Sequence, residues 1–241
     1  MSLITDVVSW LSDSTHWSGA GGVPARVVEH LGYTGLAVAA AAVVAVPLGA
    51  LIGHTGRGGL VVVGLANGLR ALPELGLLTL LVLGMGIGLV PVTLALVVLA
   101  VPPLLAGTYA GVRNVDRATV DAATGMGMTG RKVLWHVELP NALPLILGGL
   151  RAATLQVLAT AAIAAYVSLG GLGRYLIDGL AVNDYPQVVS GAALIAVLAL
   201  LLEGVLAIVQ RLAISPGLRP AVNHGTRSML GAVPQLVGCR R

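Results

Sequence analysis

The chain has 241 residues, 56% of them hydrophobic and only 10% charged, with a formal net charge of +4 at pH 7. Together with a mean hydropathy of +0.92, this composition excludes an ordinary water-soluble globule, because soluble chains carry about 25% charged residues. The single cysteine, Cys239, excludes an intramolecular disulfide and a cysteine-based metal site. The composition therefore indicates a protein that lies in a membrane.

Residues 1–32 mix polar and apolar side chains, and we interpret them as an N-terminal extracytoplasmic tail. A signal peptide is not expected, because the start carries no basic residue and acidic residues interrupt the apolar run. Two interpretations of the tail stay open. Its tryptophans, Trp10 and Trp17, are typical of chains that lie along a membrane interface, whereas its charges are equally typical of a short solvated tail.

Five apolar segments follow, each near the length of about 20 residues that a helix needs to cross a bilayer. The predicted spans are residues 33–53, 60–83, 92–110, 143–166 and 188–209. We therefore expect an all-α membrane protein with about five transmembrane helices. Residues 33–212 would form the membrane domain, and residues 213–241 a basic C-terminal tail.

A polar stretch, residues 113–140, separates the third and fourth predicted spans. Asp116 and Thr129 are good helix caps, because their side chains can accept hydrogen bonds from free backbone N–H groups. Between them stand three glycines, which reach backbone angles closed to other residues: Gly125, Gly127 and Gly130. Pro140 is expected to begin a new helix, where its missing N–H costs nothing. The stretch is thus predicted to be a helix–bend–helix hairpin in water, called the hairpin below.

Within the hairpin the chain reads Asp-Ala-Ala, then a glycine six positions after the aspartate, then Val-Glu-Leu-Pro. In order and spacing this pattern resembles the EAA loop of ABC importer permeases, with aspartate in place of glutamate and valine in place of isoleucine. The matching residues are Asp121, Ala122, Ala123, Gly127, Val137, Leu139 and Pro140. The resemblance implies that the hairpin is a cytoplasmic coupling helix that docks on the ATPase of an importer.

The same resemblance implies the architecture of a type I ABC importer, similar to that of methionine permeases. Such permeases work as dimers, which implies a second copy of this chain or a similar permease as a partner. The resemblance also implies cytoplasmic ABC ATPase subunits and an extracytoplasmic substrate-binding protein as partners. ATP and Mg²⁺ are then expected in the ATPase, with no cofactor in this chain.

Three further stretches resemble the osmoprotectant branch of these permeases: residues 69–75, 108–121 and 169–184. That branch carries glycine betaine, choline, carnitine or proline betaine, and the resemblance implies such a substrate. Permeases for methionine or another small amino acid are related, so that alternative stays open. A non-transporting membrane scaffold that carries the same loop is the alternative from another class.

No catalytic residues and no metal site are predicted. The chain lacks the G-x-x-x-x-G-K-[ST] pattern, so ATP hydrolysis must occur in another chain. Gly84, Gly86 and Gly88 match part of a dinucleotide-binding fingerprint, but no strand precedes them, and a tight turn in the membrane is the better interpretation. The five histidines lack metal-ligand spacing. We therefore expect a transport subunit and not an enzyme.

The basic residues are distributed unevenly between the two sides of the predicted membrane domain. Ten lie on the side of the hairpin: Arg57, Arg113, Arg117, Arg131, Lys132, Arg211, Arg219, Arg227, Arg240 and Arg241. Only Arg26 and Arg174 lie on the other side. Basic residues accumulate on the cytoplasmic side of membranes, so we place the hairpin and the C-terminus inside and the N-terminus outside the bacterial cytoplasmic membrane. The positive charge thus reflects topology, and nucleic acid is not expected as a partner.

Ionisable residues inside a predicted span are costly in lipid and indicate function by default. In the second span, Arg70 and Glu74 are four residues apart and would face each other on one helix, with Pro73 beside them. The candidate substrate pathway consists of Asn67, Arg70, Glu74, Tyr109 and Tyr166. Alternatively, Arg70 and Glu74 form an ion pair that only eases insertion. Arg151 and Glu203 could form a second pair, which the sequence leaves open.

Small residues recur at every fourth position in three pairs: Gly64/Gly68, Gly107/Gly111 and Ala161/Ala165. In lipid, such pairs let helix backbones approach closely. Packing within the chain and contact with a second subunit are both compatible with this pattern.

Overall fold

The structure, a computed structural model, describes residues 3–214 apart from the side chains of residues 63, 65 and 67. In this part of the chain every regular element is helical. The helices are α1 (Leu3–Ser12), α2 (Val23–Thr55), α3 (Gly59–Arg70), α4 (Glu74–Met85), α5 (Leu89–Arg113), α6 (Arg117–Gly125), α7 (Gly130–Val133), α8 (Leu139–Thr160), α9 (Gly173–Val182) and α10 (Tyr185–Ala213). The described residues also form two 3-10 helices, Ser14–Trp17 and Ala161–Val167, and a π-helical turn, Leu134–Glu138. The predicted C-terminal tail lies outside the described residues from residue 215 onward.

Four helical stretches within the described residues are long and apolar enough to cross a membrane. They are Val23–Thr55, Leu89–Arg113, Gly130–Val167 and Tyr185–Ala213. The third of these joins α7, the π turn, α8 and the second 3-10 helix without interruption. The predicted all-α membrane fold is therefore confirmed, and four of the five predicted spans are present as continuous helices.

The predicted second span, residues 60–83, is broken into two helices instead. α3 and α4 contain 12 residues each, so each is only about 18 Å long, and both are needed to cross a hydrocarbon core of about 30 Å. The break at residues 71–73 ends with Pro73, which cannot supply the N–H that would continue α3. α3 begins beside Tyr109 near the end of α5, and α4 joins the start of α5 through a three-residue turn. The break therefore lies near the middle of the membrane.

The first spanning helix begins earlier than the sequence indicates. α2 starts at Val23 and includes residues 23–32, which the sequence pattern places in the tail. Pro24 lies in its first turn, where its fixed backbone angle favours helix initiation. Arg26 Nη1 donates to Glu29 Oε2 at 2.9 Å, so the charges in this stretch are paired within the protein. A sequence pattern that looks like a solvated tail is thus the polar start of a membrane helix.

α5 is the central helix and packs between α2 and α8. A Cβ atom on Gly107 would lie 2.8 Å from the Cα of Gly149, and one on Gly111 would lie 2.9 Å from the carbonyl oxygen of Ala142. Backbone contacts this close leave no room for a side chain. The Gly107/Gly111 pair therefore packs α5 against α8 within the chain, as one of the two interpretations predicts.

The other two small-residue pairs differ from each other. Ala161 and Ala165 are 1% and 2% exposed and belong to the core. Gly64 and Gly68 on α3 are exposed, and a Cβ atom on either would meet nothing within 4 Å. The α3 pair is therefore free of close packing within the described part of this chain.

At the end of the bundle opposite the hairpin, α1 and α9 cover the start of α2. The Trp10 ring stacks on His16 with 4.0 Å between centroids and packs edge-on against Tyr175 at 5.2 Å. The Tyr175 hydroxyl donates to the carbonyl oxygen of Gly21 at 2.8 Å, and burial raises the pKa of Tyr175, which keeps this donor protonated. Trp10 is therefore packed against protein, whereas Trp17 is exposed.

Candidate functional site

The hairpin has the predicted helix–bend–helix form, with α6 as its first arm. Asp116 caps α6, and its side chain accepts a hydrogen bond from the backbone N–H of Ala118 at 3.2 Å. Thr129 precedes α7 with extended backbone angles, but its side chain makes no cap hydrogen bond there. The cap at Asp116 is confirmed, and the side-chain cap at Thr129 is wrong.

The bend of the hairpin depends on Gly127. Its φ angle is +87°, in the left-handed region that only glycine occupies without strain. A Cβ atom at this position would meet nothing within 4 Å, so the backbone angle, and not a neighbouring atom, requires glycine in this protomer. Gly125 ends α6 and Gly130 begins α7, and neither has a positive φ. The bend is therefore made by one of the three predicted glycines.

Pro140 does not begin a new helix, so that prediction is wrong. The chain is continuously helical from Gly130 to Val167, and Pro140 is the second residue of α8. In a regular α-helix, the missing N–H of a proline would leave a carbonyl oxygen unpaired. The π turn that ends immediately before α8 changes the backbone hydrogen-bond pattern at this position. The second arm of the hairpin therefore continues directly into a membrane span.

The structure brings several residues of the loop pattern to one apolar groove. The groove has a volume of about 460 Å³ and is lined by Ala118, Thr119, Ala122, Ala123, Met126, Met128 and Val137. Asp121 and Ala122 are exposed, whereas Ala123 is buried. Leu139 instead packs against an apolar cluster that includes Ala142 of α8. The pattern thus combines a surface groove with an anchor in the membrane domain.

A second hollow lies on the other arm of the hairpin. It has a volume of about 450 Å³ and is lined by Thr129, Arg131, Lys132, Trp135 and His136. Trp135 is 61% exposed, and Met126, which lines the first groove, is 77% exposed. Sequence reasoning missed both residues, although a tryptophan and a methionine in a polar loop are a usable signal of a binding surface. The hairpin therefore presents an apolar and basic surface to its surroundings.

The hairpin is also tied to α2 by a contact that sequence reasoning missed. His54 Nδ1 lies 2.5 Å from Glu138 Oε2, and the Glu138 side chain is only 7% exposed. The two residues are 84 positions apart, and neither is one of the residues that match the loop pattern. Nothing local in the sequence indicates their pairing.

The polar residues of the predicted substrate pathway surround the break in the second crossing. Arg70 is the last residue of α3 and Glu74 the first of α4. The prediction that they face each other on one helix is wrong, because the break separates them, and the described residues contain no ion pair between them. Arg70 is exposed and Glu74 half-buried. Asn67 lies in α3, and its side chain is outside the described residues.

The two tyrosines of the predicted pathway lie at opposite ends of the bundle. Tyr109 faces the turn between α2 and α3, where a Cβ atom on Gly59 would lie 2.5 Å from its hydroxyl oxygen. Tyr166 is 65% exposed in the 3-10 helix that follows α8. The predicted pathway residues therefore do not form one compact pocket in this protomer.

The possible pair between the fourth and fifth predicted spans is present. Arg151 of α8 forms an ion pair with Glu203 of α10. Arg151 Nη1 also donates to Gln210 Oε1 at 3.2 Å, and Gln210 Nε2 donates to the carbonyl oxygen of Pro144 at 3.2 Å. This network explains how two charges are tolerated in membrane helices.

Comparison with known proteins gives consistent results. Residues 45–220 match the family described as "Binding-protein-dependent transport system inner membrane component". A glycine betaine/carnitine/choline transport system permease protein of Bacillus subtilis (strain 168) is 34% identical over 191 residues, which cover 79% of this chain and 88% of that protein. A carnitine transport permease protein of Listeria monocytogenes is 38% identical over 172 residues, covering 71% and 77%.

Solved structures agree in fold. A chain of the MetNI methionine ABC transporter in an inward-facing conformation superimposes with a TM-score of 0.68 at 21% identity, covering 78% of this chain and 94% of that one. A chain of an amino acid ABC transporter crystallised with histidines gives a TM-score of 0.66 at 23% identity, covering 85% and 97%. At these identities the likeness concerns the fold alone.

Proposed function

This chain belongs to the family of inner membrane components of binding-protein-dependent transport systems, and on that premise we propose that it imports an osmoprotectant such as glycine betaine, choline or carnitine. Its fold is that of a type I ABC importer permease, as the loop pattern predicts. The observation that carries the substrate class is the identity of more than 30%, over most of the chain, with permeases named for those three compounds.

ATP hydrolysis, on this proposal, takes place in a partner ABC ATPase that binds ATP and Mg²⁺. The hairpin is the docking element, and its apolar groove and basic hollow are the contact surfaces. Exposed Met126 and Trp135 support this role, because aromatic residues and methionine are enriched in protein interfaces. Asp121 and Gly127 would act there through an exposed carboxylate and a fixed bend.

A second permease copy, or a similar permease, is proposed to cover the face of the broken crossing. Arg70 is exposed near the middle of the membrane, where a charge against lipid costs about 2.5–3.5 kcal/mol or more. Lipid chains are therefore an unfavourable neighbour for this face, whereas a second protomer or a water-filled path is a favourable one. The open surface at Gly64 and Gly68 on the same helix allows close approach of another backbone.

The substrate path is proposed to run past that break, with Glu74 as its anionic group. A quaternary ammonium cannot lose its charge and has no N–H to donate, so a path through hydrocarbon must offer water or negative polarity. Glu74 begins α4 directly after the break and is half-buried there. Tyr109 and Tyr166 would line the two ends of the path and not its centre. An extracytoplasmic binding protein would supply the affinity.

The membrane that this protein spans is proposed to be the bacterial cytoplasmic membrane, with the hairpin on its cytoplasmic side. The uneven distribution of basic residues supports this orientation. It puts the groove of the hairpin where an ATPase can reach it and the α1/α9 end where a binding protein can reach it.

The function is tested by uptake into proteoliposomes that hold the permease, its ATPase and its binding protein. We expect ATP-dependent uptake of labelled glycine betaine, choline or carnitine and no uptake of labelled methionine. Uptake of methionine alone would establish the amino-acid alternative. Assembly of the complex without uptake of any of the four would contradict the transport role.

A further inference from the structure

We propose that His54 is a positioning residue for coupling, which ties the first spanning helix to the hairpin through Glu138, so that both move as one body when the ATPase acts. The proposal rests on the coupling role of the hairpin given above. It concerns residues outside the Asp-Ala-Ala and Leu-Pro pattern.

The contact is short and largely shielded from water. His54 Nδ1 donates to Glu138 Oε2 at 2.5 Å, and the two side chains are 26% and 7% exposed. A buried carboxylate without a partner is strongly unfavourable, so Glu138 holds the imidazole in place as much as the imidazole holds Glu138. A hydrogen bond to a charged group in such a setting is also among the stronger ones in proteins.

The π turn determines where Glu138 points. Glu138 is the last residue of Leu134–Glu138, and a π turn contains one residue more than an α turn, which rotates the following side chains about the helix axis. Glu138 is buried against α2, whereas Trp135 in the same turn is 61% exposed. π turns are frequent at functional sites, and this one lies between the hairpin and the membrane span.

The second ring nitrogen of His54, Nε2, lies close to the start of the second arm. A Cβ atom on Gly130 would lie 3.3 Å from His54 Nε2, so the ring fits between the first residue of α7 and the last residue of the π turn. A cavity of about 100 Å³ beside the ring is lined by charged residues of α5 and α6, Arg113 and Arg117, as well as by Glu138. His54 therefore lies between the two ends of the helical segment 130–138, which carries most of the basic hollow.

The effect of the His54 contact on the rest of the protein depends on the residues that α2 binds at its other end. α2 has 33 residues and is about 50 Å long. Near its start, Glu29 Oε2 accepts from the backbone N–H of Gly171 at 2.7 Å, and His30 Nε2 donates to the carbonyl oxygen of Leu158 at 2.8 Å. α2 thus connects the hairpin to the last turn of α8 and to the segment between α8 and α9 at the opposite end. Motion at the ATPase reaches that segment through α2 as well as through α8.

The test compares two replacements of His54 with one of its exposed neighbour Thr55. His54→Leu removes the donor, whereas His54→Asn keeps an N–H close to the position of Nδ1. Thr55→Val is the control, because Thr55 is exposed at the end of α2 and its hydroxyl donates only to the carbonyl oxygens of Leu51 and Ile52 among the hydrogen bonds of the described residues. In proteoliposomes, His54→Leu should consume about tenfold more ATP per substrate molecule imported, while His54→Asn and Thr55→Val remain near the wild type.

A second measurement tests whether α2 and the hairpin move together. Spin labels at Thr55 and Thr124, in a chain with Cys239→Ser, report the distance between α2 and the hairpin in the assembled complex, since Thr124 is exposed on α6 and lines neither contact surface. We expect the same distance in the nucleotide-free and vanadate-trapped states with His54, and a broadened or shifted distance in one state with His54→Leu. A nucleotide-dependent distance in the wild type, or normal coupling in His54→Leu, would overturn the proposal. Failure of the wild-type complex to import any substrate would refute the proposed function, and the distance measurement would still decide the role of His54.

Discussion

The Nε2 atom of His30 lies 2.8 Å from the carbonyl oxygen of Leu158, 128 residues away, at the junction where α8 becomes a 3-10 helix. In 3-10 geometry each N–H bonds three residues back instead of four, so a carbonyl oxygen at such a junction loses its usual partner. His30 is completely buried, and its N–H replaces that partner. The start of the first span and the end of the fourth are therefore joined by a hydrogen bond.

Replacing His30 should lower the stability of the bundle without affecting the hairpin. His30→Leu keeps a similar volume but leaves the Leu158 carbonyl oxygen buried and unpaired, which costs about 1–3 kcal/mol. We expect a lower melting temperature of the purified permease in detergent. His136→Leu, at an exposed position, should leave the melting temperature unchanged. Equal melting temperatures for the wild type and His30→Leu would show that water or another donor satisfies the carbonyl.

The contact of α5 with α8 predicts opposite outcomes for two glycine-to-valine substitutions. Gly107→Val forces a side chain into the backbone of α8 at Gly149, and overpacking of this kind costs about 1–3 kcal/mol or more. Gly64→Val enters open space. Size-exclusion chromatography in detergent should show aggregation for Gly107→Val and a folded protomer for Gly64→Val.

If the α3 face contacts a second permease, Gly64→Val should also weaken the pairing of two permeases. Normal folding of Gly107→Val would contradict the helix contact. Unchanged pairing of Gly64→Val would remove α3 from the proposed subunit interface.

The left-handed angle at Gly127 predicts a specific loss of coupling. A side chain at φ +87° costs about 1–2 kcal/mol in backbone energy, so Gly127→Leu should reshape the bend while the membrane helices stay intact. We expect normal insertion, weaker ATPase binding in a pull-down and reduced uptake. Gly125→Leu is the matched control, because Gly125 is nearby, helical and equally open. Uptake at the wild-type rate by Gly127→Leu would refute the coupling assignment.

Much of the fold can be predicted from the sequence because lipid imposes simple requirements. Apolar runs of sufficient length indicate four spans that are continuous helices, and the intervals from Asp121 to Pro140 indicate the hairpin. Local chemistry also predicts the cap at Asp116 and the glycine bend at Gly127. These features depend on residues close together in the chain, where spacing alone carries the information.

The features that the sequence does not predict depend on distant partners. Arg26, Glu29 and His30 resemble a solvated tail until Gly171 and Leu158 satisfy them. The pairing of His54 with Glu138 likewise joins residues 84 positions apart. The second crossing shows the opposite error, in which the sequence predicts a contact that the structure lacks. Helical spacing brings side chains together only within one helix, and in this crossing a proline ends the helix.

The topology can be tested with the only cysteine. Cys239 lies outside the described residues, and the distribution of basic residues predicts that it is cytoplasmic. A membrane-impermeant maleimide should label it only after the cell membrane is opened. Ser14→Cys in a Cys239→Ser background is the control, because Ser14 is exposed at the opposite end of the bundle and should be labelled in intact cells. Labelling of Cys239 in intact cells would reverse the orientation.

The role of Glu74 can be separated from a structural role by comparing substrates of different charge. Choline carries only a positive charge, whereas glycine betaine also carries a carboxylate, so removing an anionic group from the path should affect choline more. At an effective dielectric constant of about 20 a charge pair at 4 Å is worth about 4 kcal/mol, and a partial, wet contact retains a fraction of that. We therefore expect Glu74→Gln to slow choline import about tenfold and glycine betaine import less.

Asp178→Asn serves as the control, because Asp178 is a half-exposed carboxylate paired with Arg174 on α9, away from the break. It should leave the import of both substrates unchanged. Assembly with the ATPase and docking of the binding protein should be normal for both variants, since Glu74 lies at the first turn of α4 and makes no ion pair within the described residues. Equal slowing of choline and glycine betaine by Glu74→Gln, together with reduced assembly, would indicate that Glu74 supports the helix break. Normal import of both would remove Glu74 from the path, because a permanent cation passing an anionic side chain near the middle of the membrane must respond to its loss.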